Sequence, residues 1–123
     1  MAHILLVDDD DSVRGMLAEM LEDMGHEVAQ AADGTSCLER VDECEFDLLI
    51  TDIVMPEQGG LRAIDGVRQK APGIKILAIS GGGSLLSSED YLELAKSLGA
   101  DATLRKPFRR DDLTQAISTL VVA

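Results

Sequence analysis

Carboxylates, a hydroxyl and an ammonium occur at points far apart in this chain, each at the end of a short strand-like run. An unbroken acidic run occupies residues 8–11, and a single aspartate, Asp52, follows the apolar residues 48–50. Ser80 and Lys106 each follow a further run. Carboxylate oxygens suit Mg²⁺, an aspartate can be a covalent nucleophile, and a lysine supplies a point charge for phosphate oxygens. The residue types match phosphoryl transfer to an aspartate, provided that the fold brings them together.

The segments that precede these residues predict buried β-strands. They are too short for helices and are rich in Ile, Leu and Val, which is typical of strands inside a parallel sheet. One further run alternates weakly and predicts a strand near a sheet edge. The predicted strands cover residues 4–7, 27–31, 48–52, 74–79 and 102–105.

Apolar residues at helical spacing follow every predicted strand and predict five helices. We expect Asp11 or Ser12 to cap the first helix and Gly25 to end it. Asp10 and Asp11 are interpreted as charges at the helix start that favour the helix dipole. Gly59 and Gly60 are expected to precede the third helix.

Five strands alternating with five helices predict one α/β domain over residues 1–123, with a parallel sheet and helices on both faces. The carboxyl ends of its strands share one edge, where open α/β sheets bind their ligands. That edge receives Asp8, Asp9, Asp52, Ser80 and Lys106. Two carboxylates about 4 Å apart repel by roughly 4 kcal/mol at an effective dielectric of 20, so three ionised ones need a cation. Mg²⁺, which keeps several waters, is the expected cofactor.

The bulk composition bounds the class of protein. Hydrophobic residues make up 46% of the chain and aromatic residues 2%, which predicts an aliphatic core. The net charge of −12 argues against direct binding of nucleic acid or of an anionic membrane surface. The two cysteines form no CxxC pair, and no secretory signal or stretch of 18 apolar residues occurs. We therefore expect a cytoplasmic protein.

Four segments together resemble the receiver domain of two-component response regulators. Each is weak alone, but four in this order at the ends of strands are specific. They are residues 4–10, 51–56, 78–81 and 106–108. The resemblance covers nearly the whole chain and implies a flavodoxin-like doubly wound fold with strand order 2-1-3-4-5.

The resemblance also implies an acceptor and a metal site. Asp52 resembles the phosphoacceptor, which takes its phosphoryl group from a sensor histidine kinase or a histidine phosphotransfer protein. Asp9, Asp52 and the backbone carbonyl of Val54 resemble the Mg²⁺ ligands, with Asp8 acting mostly through water. Such a domain passes a signal to a downstream effector and catalyses only its own phosphorylation and dephosphorylation.

Two further roles follow from the same resemblance. Ser80 resembles the switch hydroxyl and Lys106 the phosphate-sensing lysine, with a cis bond between Lys106 and Pro107. The chain departs from the family where Thr103 replaces a frequent aromatic residue. It departs again at Val54 and Gly82, where relatives that lose their phosphoryl group quickly carry polar side chains.

Three other classes of protein fit the sequence less well. A haloacid-dehalogenase-like phosphatase needs a second acid two residues after its nucleophile, where Val54 stands. A flavin or nucleotide binder needs a phosphate-binding loop after the first strand, where the acidic residues 8–11 would repel phosphate. A degenerate receiver used only as a protein-interaction module would lack some of the key residues, and all five are present.

Overall fold

The computed structural model describes residues 2–53, 55, 59–81 and 88–121, in which strands and helices alternate. The strands are β1 (His3–Val7), β2 (Glu27–Ala31), β3 (Leu48–Asp52), β4 (Lys75–Ser80) and β5 (Ala102–Arg105). The helices are α1 (Asp11–Asp23), α2 (Gly34–Glu43), α3 (Gly59–Lys70), α4 (Ser88–Leu98) and α5 (Arg110–Leu120). Every predicted strand is present, with its ends within one residue of the expected positions.

The five strands form one parallel sheet in the order β2-β1-β3-β4-β5. This confirms the predicted α/β, flavodoxin-like doubly wound fold. β3 lies at the centre, hydrogen-bonded to β1 on one side and β4 on the other. All five of its residues are buried, which explains why its sequence is apolar up to the final threonine and aspartate.

Alternate residues of each strand supply two separate aliphatic layers. Leu5 and Val7 pack on the face that is covered by α2, α3 and α4. Ile4 and Leu6 pack on the opposite face, under α1 and α5. The side chains divide in this way because successive residues of a strand point to opposite faces of the sheet. None of the helices in the described ranges is long and apolar enough to span a membrane.

The start of α1 differs from the prediction. Asp10 is the N-cap, and its side chain accepts hydrogen bonds from the backbone N–H groups of Ser12 (3.0 Å) and Val13 (3.2 Å). The assignment of the cap to Asp11 or Ser12 was therefore wrong. Asp11 and Ser12 lie inside the first turn of α1, and the capping carboxylate belongs to Asp10, the extended residue before that turn.

The start of α3 also differs, because Gly59 and Gly60 form its first turn instead of preceding it. The helix begins pressed against the end of β3. A Cβ atom on Gly60 would overlap the carbonyl oxygen of Asp52 and lie 2.5 Å from Cα of Ile53. Glycine at this position is what allows the two backbones to approach so closely.

The amino-terminal edge of the sheet is tied together by Arg68. Its guanidinium donates to the carbonyl oxygens of Ile74 (2.9 Å) and Gly99 (2.7 Å) and pairs with Asp101 at 2.7 Å. The same carboxylate oxygen of Asp101 accepts from the backbone N–H of Ile76 at 2.8 Å. One arginine thus joins the end of α3, the start of β4 and the turn before β5.

Candidate functional site

Three carboxylates meet at the carboxyl-terminal edge of the sheet. β1 and β3 are parallel neighbours with Val7 opposite Thr51, so the residues that follow, Asp8 and Asp52, stand side by side. Asp9 is the next residue of the loop after β1. One oxygen from each of the three side chains lies within 4.8 Å of the others. The fold thus brings together the carboxylates that the sequence predicted.

Burial and charge at this edge favour a bound cation. Asp8 is 2% exposed and Asp52 is 9% exposed, whereas Asp9 is open to solvent. Burial raises the pKa of Asp8 above its usual value, and the charges of Asp52 and Asp9 add to the rise. The hydrogen bond from the backbone N–H of Asp10 and the charge of Lys106 oppose the rise of this pKa. A buried carboxylate with two acidic neighbours is unfavourable unless a cation compensates it.

Lys106 supplies a positive charge beside these carboxylates. Its Nζ atom lies 3.2 Å from Oδ2 of Asp52 and 3.9 Å from Oδ2 of Asp8. The backbone N–H of Lys106 donates to the carbonyl oxygen of Ser80 at 2.9 Å, which aligns the ends of β4 and β5. The bond between Lys106 and Pro107 is cis, as predicted.

Ser80 is the last residue of β4 and is fully buried. Its neighbour Ile79 pairs with Asp52 in the sheet, so Ser80 lies one residue beyond the partner of Asp52. All five predicted side chains therefore lie at one edge. Val54, the predicted backbone ligand, and Gly82, the predicted apolar position after β4, lie outside the described residues.

Sequence reasoning missed one residue that contacts this edge. Nη1 of Arg14 donates to the carbonyl oxygen of Asp8 at 2.7 Å, and Nη2 pairs with Asp11 at 2.6 Å. A signal was present, because Arg14 stands three residues after Asp11 in a predicted helix, a spacing that places two side chains side by side. The spacing of residues in the sequence did not indicate the contact between Arg14 and the backbone carbonyl of Asp8.

The donor set fits Mg²⁺. The three side chains within reach of a common ion offer only carboxylate oxygens, with no His or Cys among them. Hard oxygen donors of this kind suit Mg²⁺, whereas zinc sites in proteins use mainly Cys and His. Asp8, Asp9 and Asp52 are the described residues that would hold the ion.

A groove of about 540 Å³ opens beside Asp9, between the starts of α2 and α3. Its lining includes Asp33, Gly59 and the exposed side chain of Arg62. Arg62 is therefore a third basic side chain near the acidic edge, after Lys106 and Arg14.

Comparison with known proteins gives the family. A family model described as the response regulator receiver domain matches residues 4–118. The response regulator receiver protein CpdR of Brucella abortus is 36% identical over 124 residues, covering 100% of this chain and 99% of that protein. The solved structure of chemotaxis protein CheY4 of Vibrio cholerae matches with a TM-score of 0.86 at 32% identity, covering 98% of this chain and 99% of that one.

The chain is also similar to part of a longer protein. It is 34% identical over 125 residues to the sensor kinase CckA of Brucella abortus and covers 12% of that protein. Similar segments thus occur both as whole regulators and within sensor kinases. The acidic edge, the strand order and the match over residues 4–118 agree, and this chain belongs to the response regulator receiver domain family.

Proposed function

We propose that this chain is a phosphoacceptor signalling domain over residues 1–123. In this proposal Asp52 takes a phosphoryl group from the phosphohistidine of a sensor histidine kinase or a histidine phosphotransfer protein. The observation that carries it is the position of Asp52, with Asp8 and Asp9 within 4.8 Å and the ammonium of Lys106 at 3.2 Å. Receiver domains are signalling domains without a dedicated catalytic activity. The expected catalysis is limited to this chain's own phosphorylation and dephosphorylation.

The transfer has a simple balance. An oxygen of the Asp52 carboxylate forms a bond to phosphorus while the bond between phosphorus and the donor's imidazole nitrogen breaks. The electron pair of the broken bond stays on that nitrogen, which is then protonated. The product is an aspartyl-phosphate on Asp52, a known form of covalent intermediate.

The chain's own groups prepare this step. Asp8, Asp9, Asp52 and the carbonyl of Val54 are the proposed Mg²⁺ ligands, with Asp8 acting mostly through water. The assignment of Val54 rests on its position in the sequence. A bound Mg²⁺ neutralises charge on the phosphoryl oxygens. Lys106, already 3.2 Å from Oδ2 of Asp52, holds a second positive charge beside the incoming group.

Phosphorylation is proposed to switch one face of the domain. It adds about −1.5 to −2 charges and three acceptor oxygens at Asp52. In this proposal the ammonium of Lys106 pairs with the new charge, and the Ser80 hydroxyl donates a hydrogen bond to a phosphoryl oxygen. Movement of Ser80 would carry the following glycines, residues 81–83, whose backbone freedom lowers the cost of rearrangement. The affected face is formed by α4, β5 and α5. Thr103 lies on β5, so this switch proceeds without an aromatic side chain at that position.

The phosphoryl group is proposed to be long-lived. Neither Val54 nor Gly82 has a side chain that can orient an attacking water. Loss of phosphate should therefore be slow beside relatives with polar side chains at both positions.

The proposed setting is the cytoplasm, with protein partners only. A net charge of −12 disfavours direct contact with nucleic acid and with anionic membranes. The upstream partner is the kinase or phosphotransfer protein, and the downstream partner is an effector protein or output domain.

Phosphate uptake from acetyl phosphate tests the assignment, with and without Mg²⁺. The wild-type protein should gain an acid-labile phosphoryl group only with Mg²⁺, and Asp52→Asn should gain none while keeping its fold. Asp65→Asn is the matched control, because Asp65 is an exposed aspartate on α3. Uptake by Asp52→Asn at the wild-type rate would overturn the assignment. A wild-type protein that takes up nothing, even from a phosphohistidine donor, would be a degenerate receiver that acts as an interaction module.

A further inference from the structure

We propose that Arg14 is a positioning residue for the metal site, acting through the backbone of the acidic loop, residues 8–11. This inference rests on the proposed function of that loop in holding Mg²⁺. The side chain of Arg14 is 15% exposed, although it belongs to the first turns of a surface helix. An arginine buried to this extent needs partners for its donors, and its partners are the basis of the proposal.

Three hydrogen bonds fix the guanidinium of Arg14 against the acidic loop and β2. Nη1 donates to the carbonyl oxygen of Asp8 at 2.7 Å, and Nη2 donates to Oδ1 of Asp11 at 2.6 Å. Nε donates to Oε1 of Gln30 on β2 at 3.1 Å. The side chain therefore ties the loop to α1 and to the edge strand, and its planar fork is what allows three directions at once.

The bond to the Asp8 carbonyl has a specific consequence for Asp9. That carbonyl belongs to the peptide unit between Asp8 and Asp9, which is planar, so fixing the oxygen also fixes where the backbone of Asp9 begins. The other side of Asp8 is held because its N–H donates to the carbonyl oxygen of Ala31 at 3.2 Å. The Asp9 carboxylate is exposed, so its direction depends on this backbone and not on packing.

The loop is also held from within. Oδ1 of Asp8 accepts from the N–H of Asp10 at 2.9 Å, and Asp10 caps α1. Arg14 is the member of this network that joins the loop to two other elements by a side chain. Outer-shell groups of this kind orient metal ligands, and their loss typically weakens metal affinity by about 10–100-fold.

A positioning role and a purely electrostatic role for Arg14 predict opposite effects of its removal on the affinity for Mg²⁺. If Arg14 acted only through its positive charge, removing it would strengthen Mg²⁺ binding, because a competing cation would be gone. If it holds the loop, removing it weakens binding despite the favourable change in charge. Arg14→Lys distinguishes the positioning role from the electrostatic role further, because lysine keeps the positive charge but lacks the planar, forked guanidinium.

The experiment is a calorimetric titration of the full chain with Mg²⁺ alone. We expect Arg14→Gln and Arg14→Lys to raise the dissociation constant about tenfold. Arg62→Gln is the control, because Arg62 lines the groove beside Asp9 and no contact with the acidic loop is seen for it in the described residues. That variant should bind Mg²⁺ as the wild type does or slightly more tightly. Without metal, amide exchange in residues 8–11 should be faster in both Arg14 variants.

Each outcome decides the matter. Wild-type affinity in Arg14→Lys, or tighter binding in Arg14→Gln, would show that charge alone matters and would overturn the proposal. A wild-type protein that binds no Mg²⁺ would overturn the proposed metal site and this inference with it. Wild-type binding with unchanged variants would overturn this inference alone. A denaturation curve without metal shows the folded fraction of each variant, and Arg14→Lys retains the test if Arg14→Gln does not fold.

Discussion

The ammonium of Lys106 and the carboxylate of Asp52 form an ion pair of 3.2 Å across the width of β4. Lys106 follows β5 and Asp52 ends β3, so the pair joins two strands that are not neighbours in the sheet. Its partner carboxylate is almost entirely buried, whereas the lysine side chain is 31% exposed. The pair thus joins the buried carboxylate of Asp52 to the more accessible ammonium of Lys106.

Removing this ammonium should lower stability more where metal is absent than where it is bound. We expect Lys106→Ala to lower the free energy of unfolding by about 1 kcal/mol in a chelator, because the carboxylates of Asp8 and Asp52 lose the ammonium that pairs with them. With saturating Mg²⁺ the loss should shrink, since the variant binds the metal more tightly. Urea denaturation with and without Mg²⁺ measures both, and Mg²⁺ should also raise the melting temperature of the wild type.

Lys70→Ala is the matched control for this prediction. Lys70 pairs with Asp42 at 2.8 Å on the surface, away from the acidic edge. Its small loss of stability should be the same in both conditions. An equal loss for Lys106→Ala with and without Mg²⁺ would contradict the prediction.

Asp8→Asn should stabilise the metal-free protein near neutral pH. Burial raises the pKa of Asp8, so its ionised form is less favourable in the folded chain than in the unfolded one. This cost is present above the folded pKa and is relieved as the pH falls through it. The advantage of Asp8→Asn over the wild type should therefore be seen near neutral pH and shrink toward about pH 4.

Asparagine suits this comparison because its Oδ1 can still accept the N–H of Asp10, which Asp8 accepts at 2.9 Å. Urea denaturation in a chelator at several pH values is the measurement. Asp65→Asn, at an exposed position, provides the baseline. An Asp8→Asn variant less stable than the wild type at neutral pH without metal would refute the explanation.

Gly60→Ala should be strongly destabilising. The new Cβ would overlap the carbonyl oxygen of Asp52 and lie 2.7 Å from the carbonyl oxygen of Ile53, and backbone atoms of a central strand cannot move aside easily. Overpacking commonly costs about 1–3 kcal/mol, and we expect the upper end here. Gly15→Ala in α1 meets nothing within 4 Å and should instead stabilise by about 0.5–1 kcal/mol. Thermal denaturation of the two variants makes the comparison, and similar midpoints would argue against the close approach.

Phosphorylation should change amide exchange most within residues 80–95. Ser80, whose hydroxyl is proposed to interact with the new phosphoryl group, ends β4, and the chain from there leads into α4. Exchange measured by mass spectrometry before and after treatment with acetyl phosphate tests this. Changes confined to α1 would show that the switch proceeds by another route.

The sequence was sufficient for the strands because four of the five are short runs that end sharply at a polar or charged residue. The sequence also predicted that one edge of the sheet would hold Asp8, Asp9, Asp52, Ser80 and Lys106, because the carboxyl ends of parallel strands share one edge. The predicted N-cap of α1 was wrong because four consecutive aspartates offer equivalent capping groups. Only backbone angles distinguish Asp10, the extended residue, from Asp11, the first helical one.

Contacts made by long side chains were not predictable in the same way. Arg14 reaches a backbone carbonyl six residues earlier, and Arg68 bonds the carbonyl oxygen of Gly99, 31 residues away. Neither partner has a side-chain type that would reveal it in the sequence. Such contacts depend on how helices pack over the ends of strands, which is settled only by the three-dimensional fold.

The central place of β3 determines how this protein tolerates mutation. Because β3 is hydrogen-bonded to β1 and β4 and is buried along its whole length, a displacement of Asp52 would disturb the pairing of the central strand. A substitution that displaces Asp52 should therefore also lower the free energy of unfolding of the whole domain. A domain that is stable by about 5 kcal/mol and loses 2 is still about 99% folded, so nearly every molecule keeps Asp52 in its folded environment. Substitutions remote from the site should therefore accumulate without effect on the proposed signalling until a threshold of stability is crossed, after which the domain unfolds and that signalling should fail abruptly.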